Sequence, residues 1–170
     1  VDDPTHTYVI QNYIITHNTT MARIIAKVLF DIGYIKEDKL IEVTSKDLVA
    51  PTSGMTSTKA NKVIMNAMGG VLFVDEAYSL AISSGTPGLE AITMLVKAME
   101  DYKGEFVCIF AGYNLEMQQF VRSNSGIASR IAYTFEFEDY TQEELFEIFK
   151  VKLGLTGMKL DPDAIEPLVR

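Results

Sequence analysis

The apolar residues of this chain change spacing several times, and each change predicts an element. Two strand-like runs come first, at 7–10 and 13–16, joined by Gln11-Asn12, a pair that suits a hairpin turn though less strongly than Asn-Gly would. The period then becomes helical: Met21, Ile24, Ile25, Val28, Leu29 and Ile32 share one stripe, with Gly33 where a C-cap would stand. Residues 40–44 (LIEVT) read as a strand, 50–57 as a polar glycine-bearing loop, and 58–69 as a helix stopping at Gly69-Gly70. An unbroken apolar run then ends in two acids at 71–76 (VLFVDE), the look of a strand covered on both faces. Residues 83–88 (SSGTPG) read as a flexible loop, and Leu89, Ile92, Leu95, Val96 and Met99 as the next helical stripe. A second buried strand at 105–112, a short helix at 115–122 and a further strand at 132–137 (AYTFEF) follow. Thr141 with Glu144 makes a capping box for a helix through Lys152, and Asp161-Pro162 opens one more. Strand and helix alternate from Thr19 to Phe137, which predicts α/β with a parallel sheet.

Composition narrows the classes. The 170 residues are 48% hydrophobic and 22% charged, enough for one domain with a sizeable core. A net charge of -8 disfavours sequence-blind binding to nucleic acid, which cationic patches dominate. It leaves room for a phosphate ligand held by backbone N–H groups and a metal ion. Cys108 is the single cysteine, so no internal disulfide is possible, and with His6 and His17 the only histidines a zinc site is not expected. No apolar run approaches the ~20 residues of a membrane span. With no signal peptide in view, a cytoplasmic location is expected. A first residue other than Met and a last run that stops inside a helical pattern read as a fragment.

The acids at the end of the 71–76 run carry the chemistry. Ligands of open α/β sheets bind at the C-terminal ends of the strands. There Asp75 could hold Mg2+ through a water, and Glu76 could orient or deprotonate an attacking water. A buried strand followed by two exposed acids would leave the same trace. Such a Walker B strand needs a phosphate-binding loop, G-x-x-x-x-G-K-[ST], just before a helix. The helix is present, but the glycines and lysine are replaced by strand-like residues ending in Thr16, His17 and Asn18.

From Thr19 to about Phe149 the chain resembles the AAA+ ATPase subfamily of red-type Rubisco activases (CbbX) and stage V sporulation protein K. The matching phrases are TTMARIIAKVL, SKDLVA, GGVLFVDEAYSLA, EAITMLVKAMED, FAGYNLEM and FEFEDYTQEEL. The resemblance implies an AAA+ parallel sheet that lacks its first strand and phosphate loop, at 19–139, followed by the start of a helical lid at 140–170. It implies ATP and Mg2+ as ligands, with Thr19 the Mg2+-binding threonine after the loop lysine, Thr20 at the helix N-terminus, and Asp75 the second metal-site residue. Asn114 matches sensor 1, though a helix N-cap would explain it too. Arg130 matches an arginine finger acting on a neighbouring subunit, with Arg122 the weaker match; a surface ion-pairing arginine is the plain alternative. Further implied are a homo-hexamer and a remodelled protein substrate, with neither nucleic acid nor membrane as partner. The family's aromatic pore loop after SKDLVA is replaced by Pro51-Thr52-Ser53-Gly54-Met55, which puts peptide threading in doubt.

Residues 1–18 resemble the C-terminal end of an intein, an intein-derived β segment by that likeness. His17-Asn18 match its penultimate histidine and terminal asparagine, Thr19 the first extein residue, and Asp3 and His6 the acid and histidine of the preceding block. The likeness ends where the family's phosphate loop resumes, between its lysine and threonine. The alternatives are a diverged or chimeric N-terminus with no splicing history and a degenerate AAA+ fold used for assembly alone. With the loop's Gly-Lys absent, this chain by itself is expected to be inactive as an ATPase.

Overall fold

The computed structural model describes residues 17–52, 54–82, 85–137 and 140–156. The strand-like runs at 7–10 and 13–16, Asp3, His6 and the helix start at Asp161 lie outside them.

The described elements run α1 (His17–Asp31), β1 (Leu40–Val43), α2 (Ser45–Leu48), α3 (Thr56–Asn66), β2 (Val71–Val74), α4 (Tyr78–Ile82), α5 (Gly85–Asp101), β3 (Val107–Phe110), α6 (Asn114–Ser123), α7 (Ser125–Arg130) and α8 (Gln142–Thr156). The chain forms two compact units, residues 1–134 and 135–170.

In the first unit the three strands make one parallel sheet in the order β1-β2-β3. Alternation along β2 explains its layering. Leu72 and Val74 face a core built from α3, α5, α6 and α7, with Ile64, Ile92, Leu95, Phe120 and Ile127. Val71 faces the other way, toward Ala26 of α1 and Ile35. All four β2 residues are fully buried, as the unbroken apolar run predicts. Entry into β2 requires a residue without a side chain: a Cβ on Gly70 would lie 2.5 Å from the Lys39 carbonyl oxygen. The C-terminal edge is tied by backbone bonds that hold the loop after β2, Asp75 N–H to Val43 O (2.8 Å) and Ala77 N–H to Ala111 O (3.0 Å).

Four expectations are corrected. First, residues 132–137 form no strand. Their alternation is strand-like, but a strand exists only by pairing its backbone groups. β3 is the last strand on that side of the sheet among the described residues, so 132–137 find no partner strand there. Second, Gly85–Gly88 belong to α5 rather than to a loop, with Pro87 in the first turn, where its missing N–H costs nothing; Ser83 and Ser84 lie outside the described residues. Third, α1 starts at His17, two residues ahead of the expected Thr19. Fourth, the stripe of α1 is only partly inward. Ala22 and Ala26 are the buried positions, whereas Ile24 and Val28 are 50% exposed and Ile32 69%. Helices α2, α4 and α7 were not anticipated.

The second unit contributes α8, opened by the expected capping box. Thr141 N–H donates to Glu144 Oε2 (2.9 Å), and Glu144 N–H donates to Thr141 Oγ1 (3.2 Å).

Candidate functional site

Asp75 and Glu76 leave the C-terminal end of β2 on different terms. Asp75 is half-buried and Glu76 exposed. Burial raises the Asp75 pKa above its ordinary value; the Glu76 N–H, donating to Asp75 Oδ1 at 3.0 Å, works against this, and the charges of Glu76 and Glu42 add to the rise. A carboxylate held this way is short of positive charge, the environment a divalent cation relieves. Glu76 has a left-handed backbone, φ +47°, the only such non-glycine among the described residues. That conformation costs a glutamate on the order of 1 kcal/mol or more and is found where a side chain must be aimed.

Across the sheet, Glu42 of β1 is brought to the same edge. Thr19 Oγ1 donates to Glu42 Oε1 (3.3 Å), and Arg23 Nη2 to Glu42 Oε2 (3.4 Å). Thr19 and Arg23 share a face of α1 because they are four apart. The structure therefore gathers Thr19, Arg23, Glu42, Asp75 and Glu76 at one end of the sheet. Thr20 is exposed in the same turn of α1. Sequence reasoning missed Glu42 and Arg23. The only signal was a lone acid in an otherwise apolar strand, LIEVT.

At the end of β3, Gly112 and Tyr113 lead into α6. Asn114 is not its N-cap; that position falls to Tyr113, and Asn114 is the first helical residue, its Oδ1 accepting from Gln118 Nε2 at 3.0 Å. The N-cap explanation of Asn114 is thus removed. Asn124 is the residue that caps, accepting from Gly126 and Ile127 N–H at the start of α7. Tyr78, which opens α4, bridges the two strand ends. Its ring lies where a Cβ on Gly112 would come within 2.6 Å of Cδ1, and its centroid is 6.3 Å from that of Tyr113. Burial pushes the Tyr78 phenol up, and the nearby charge of Glu76 pushes in the same direction.

Arg130 ends α7 with its guanidinium turned inward. Nη2 donates to Glu100 Oε2 (2.8 Å) and Nη1 to Gly126 O (3.1 Å), while Nε is buried without a partner. Among the described residues it is an ion-paired residue with one unmet donor. Arg122 is exposed on α6. The Cys108 thiol, packed against the core, has its pKa pushed up to about 12 by burial, so it supplies no thiolate at neutral pH. No cluster of three or more metal-ligating His, Cys, Asp or Glu occurs among the described residues.

The donor set of Thr19 and Asp75, a hydroxyl and a carboxylate, suits Mg2+, a hard cation that takes oxygen ligands. It does not by itself suit a triphosphate. The backbone at His17 and Asn18 is already helical, and no glycine or lysine stands there to form a phosphate cradle.

A parallel sheet flanked by helices, with paired acids at the C-terminal end of a fully buried strand, defines a fragment of a P-loop NTPase-type fold. The chain belongs to the ATPase family associated with various cellular activities (AAA), whose family model matches residues 16–138. It is 46% identical over 151 residues to the chloroplastic ribulose bisphosphate carboxylase/oxygenase activase of Cyanidioschyzon merolae, covering 88% of this chain and 52% of that protein. It is 42% identical over 151 residues to protein CbbX of Cereibacter sphaeroides, with 88% and 49% covered. To stage V sporulation protein K of Bacillus subtilis it is 43% identical over 150 residues, with 88% and 47% covered. The chain thus spans about half the length of these curated relatives. No helix among the described residues is long and apolar enough to cross a membrane.

Proposed function

We propose that this chain is the acid-bearing half of an AAA+ ATP-hydrolysis site, and that the intact protein hydrolyses ATP to ADP and phosphate. The observation that carries the reading is the meeting of Thr19 of α1 with the β1 and β2 edge, where Glu42, Asp75 and Glu76 converge. In the intact site Thr19 and Asp75 would hold Mg2+, which would neutralise phosphate charge. Glu76, exposed and aimed by its left-handed backbone, takes the proton of the attacking water or orients it. Asn114 lies at the neighbouring strand end as the sensor of the reacting phosphate. Arg130 trades its Glu100 partner for a phosphate of the adjacent subunit. Exposed ion pairs of this kind are worth about 1 kcal/mol or less, so the exchange is cheap, and the unmet Nε donor favours it.

A ring of such subunits, a hexamer by family habit, would act in the cytoplasm on a protein substrate; residues 140–170 would begin its helical lid. With Met55 in place of a pore-loop aromatic, the grip on that substrate differs from the family's. The test is Glu76→Gln in the intact protein. Nucleotide binding should survive while turnover falls by roughly a hundredfold or more; unchanged turnover would remove Glu76 from the reaction.

The second reading concerns residues 1–18, as the surviving end of an intein. It is favoured by one observation: the AAA match begins at residue 16, within three residues of the end of the intein-like segment. The acyl group of the upstream extein leaves the intein's own N-terminal nucleophile, which takes back a proton, and passes to the Thr19 hydroxyl as an ester. Asn18 then cyclises through its side-chain amide and cleaves the Asn18–Thr19 bond with His17 assisting that carbonyl, and the freed Thr19 amine attacks the ester to form the peptide bond. Asn18 and Thr19 sit in the first turn of α1, so the reacting form needs that turn opened; helix ends fray readily. Supplied with a matched N-terminal piece, the chain should release the segment ending at Asn18 and give a product reading Gly-Lys-Thr-Thr by mass spectrometry. Asn18→Ala should block release, and processing unchanged by that substitution would end the intein reading. If neither splicing nor ATP turnover occurs, a non-enzymatic assembly module is what remains.

A further inference from the structure

Glu42 has no part in the chemistry proposed so far, yet its carboxylate is held from two sides. Side chains alternate along β1. Ile41 and Val43 pack into the larger core, whereas Leu40 joins the cluster of Ala26, Ile35 and Val71 on the α1 side. Glu42, two residues on from Leu40, therefore points to the α1 side as well, where it meets the first turns of that helix. Its two oxygens take different donors: Oε1 accepts from Thr19 Oγ1 (3.3 Å) and Oε2 from Arg23 Nη2 (3.4 Å). An exposed ion pair of this kind adds little stability, so stability does not account for an acid in an otherwise apolar strand.

We infer that Glu42 is a positioning residue for the proposed Mg2+ site: it accepts the hydrogen bond of the Thr19 hydroxyl and so leaves that oxygen's lone pairs to the cation, while Arg23 holds its second oxygen. A hydroxyl has one proton to donate and two lone pairs. A threonine in a helix divides between two χ1 rotamers, and its proton can turn to any nearby acceptor. A carboxylate that takes the proton selects one arrangement and makes the oxygen a better ligand, as outer partners do for metal ligands in general. Arg23 follows Thr19 by one helical turn on the same face. Helix α1 thus carries both the ligand and the cation that steadies the ligand's partner. Glu42 needs no contact with the ion itself.

This role rests on the ATPase reading above. It is tested in the intact protein by equilibrium binding of Mn2+, followed by its paramagnetic resonance signal, in the presence of a non-hydrolysable ATP analogue. Glu42→Ala should weaken metal binding roughly tenfold, with the affinity for the metal-free analogue and the melting temperature unchanged. Added to Thr19→Ala, the same substitution should cost little more, because Glu42 acts through that hydroxyl. Arg23→Gln should weaken the metal too, although loss of a positive charge would by itself tighten a cation site. Wild-type Mn2+ affinity in Glu42→Ala would overturn the inference while leaving the ATPase reading standing. So would an equal loss on the Thr19→Ala background, which would make Glu42 a charge acting at a distance, or a tighter site in Arg23→Gln. A loss shared by the metal-free analogue or by the melting temperature would make the contact structural and overturn it as well. If the wild-type intact protein bound no Mn2+ with the analogue, both readings would fall.

Discussion

β2 and β3 are neighbours in one sheet, carry equally apolar sequences, and are covered very differently. Every residue of Val71–Val74 is fully buried, with strands on both sides and helices on both faces. Every residue of Val107–Phe110 is only half-buried, with one strand beside it among the described residues. The same contrast runs along α1, which buries two alanines and leaves Ile24, Val28 and Ile32 outward. The acids gathered at the strand ends come from β1 and the turn after β2, whereas among the described residues no strand pairs with the far side of β3. Under the proposed reading that side is where the segment joined ahead of Thr19 belongs.

The largest effect expected is on turnover. In the intact protein Arg130→Ala should lower ATP hydrolysis by roughly a thousandfold, the scale of an arginine finger. Mixing Arg130→Ala subunits with Glu76→Gln subunits should restore part of the activity, because each supplies what its neighbour lacks. Failure of that mixture, read by phosphate release, would make Arg130 a structural partner of Glu100. The next effect compares the two strands directly. Leu72→Ala should cost about 2–5 kcal/mol of stability, as for a fully buried leucine, and Ile109→Ala less than half of that, measured by denaturant unfolding. Equal costs would mean that β3 is as closed as β2.

The smallest effect is a pH dependence at the β1–α2 turn. Asp47 accepts the Thr44 N–H (2.8 Å) and hydroxyl (2.9 Å), and the first of these bonds chiefly holds its pKa below the ordinary value, with further lowering from the hydroxyl and the Lys59 charge against an opposing contribution from burial. A carboxylate lowered on folding binds its proton less tightly in the folded state. Its stabilisation is therefore full above the unfolded value of about 3.9 and is lost as pH falls through the lowered one. Asp47→Asn should flatten this acid limb of the stability profile and cost on the order of 1 kcal/mol at neutral pH. A variant with the wild-type acid limb would show that other groups set it.

What the sequence made legible follows from range. The strand at Val71–Val74 and the acids after it are a local pattern, an apolar run and its end, and they were read directly. The Thr141–Glu144 box was legible for the same reason. Residues 132–137 were misread because alternation reports what a strand's side chains prefer and says nothing about whether a partner strand exists. Glu42 and Arg23 join the site through contacts 19 to 23 residues apart in the chain, which no local period encodes. Tyr78 was visible only as part of the phrase DEAYSL; its place against Gly112 follows from β2–β3 pairing. The N-cap alternative for Asn114 was one residue out because Asn favours N-caps in general, whereas here Tyr113, with φ -70° and ψ 143°, takes the extended cap conformation.

The central claim, that this chain holds the acid half of the site and lacks the phosphate half, is tested most directly by calorimetric titration with Mg-ATP, once on this chain and once on the same chain with a glycine-rich, lysine-ended segment joined directly to Thr19. The account predicts no saturable binding at micromolar nucleotide for the first and saturable, stoichiometric binding for the second, because backbone N–H groups and the lysine carry most of the phosphate recognition. Tight stoichiometric binding by the chain with His17-Asn18 still ahead of Thr19 would contradict it.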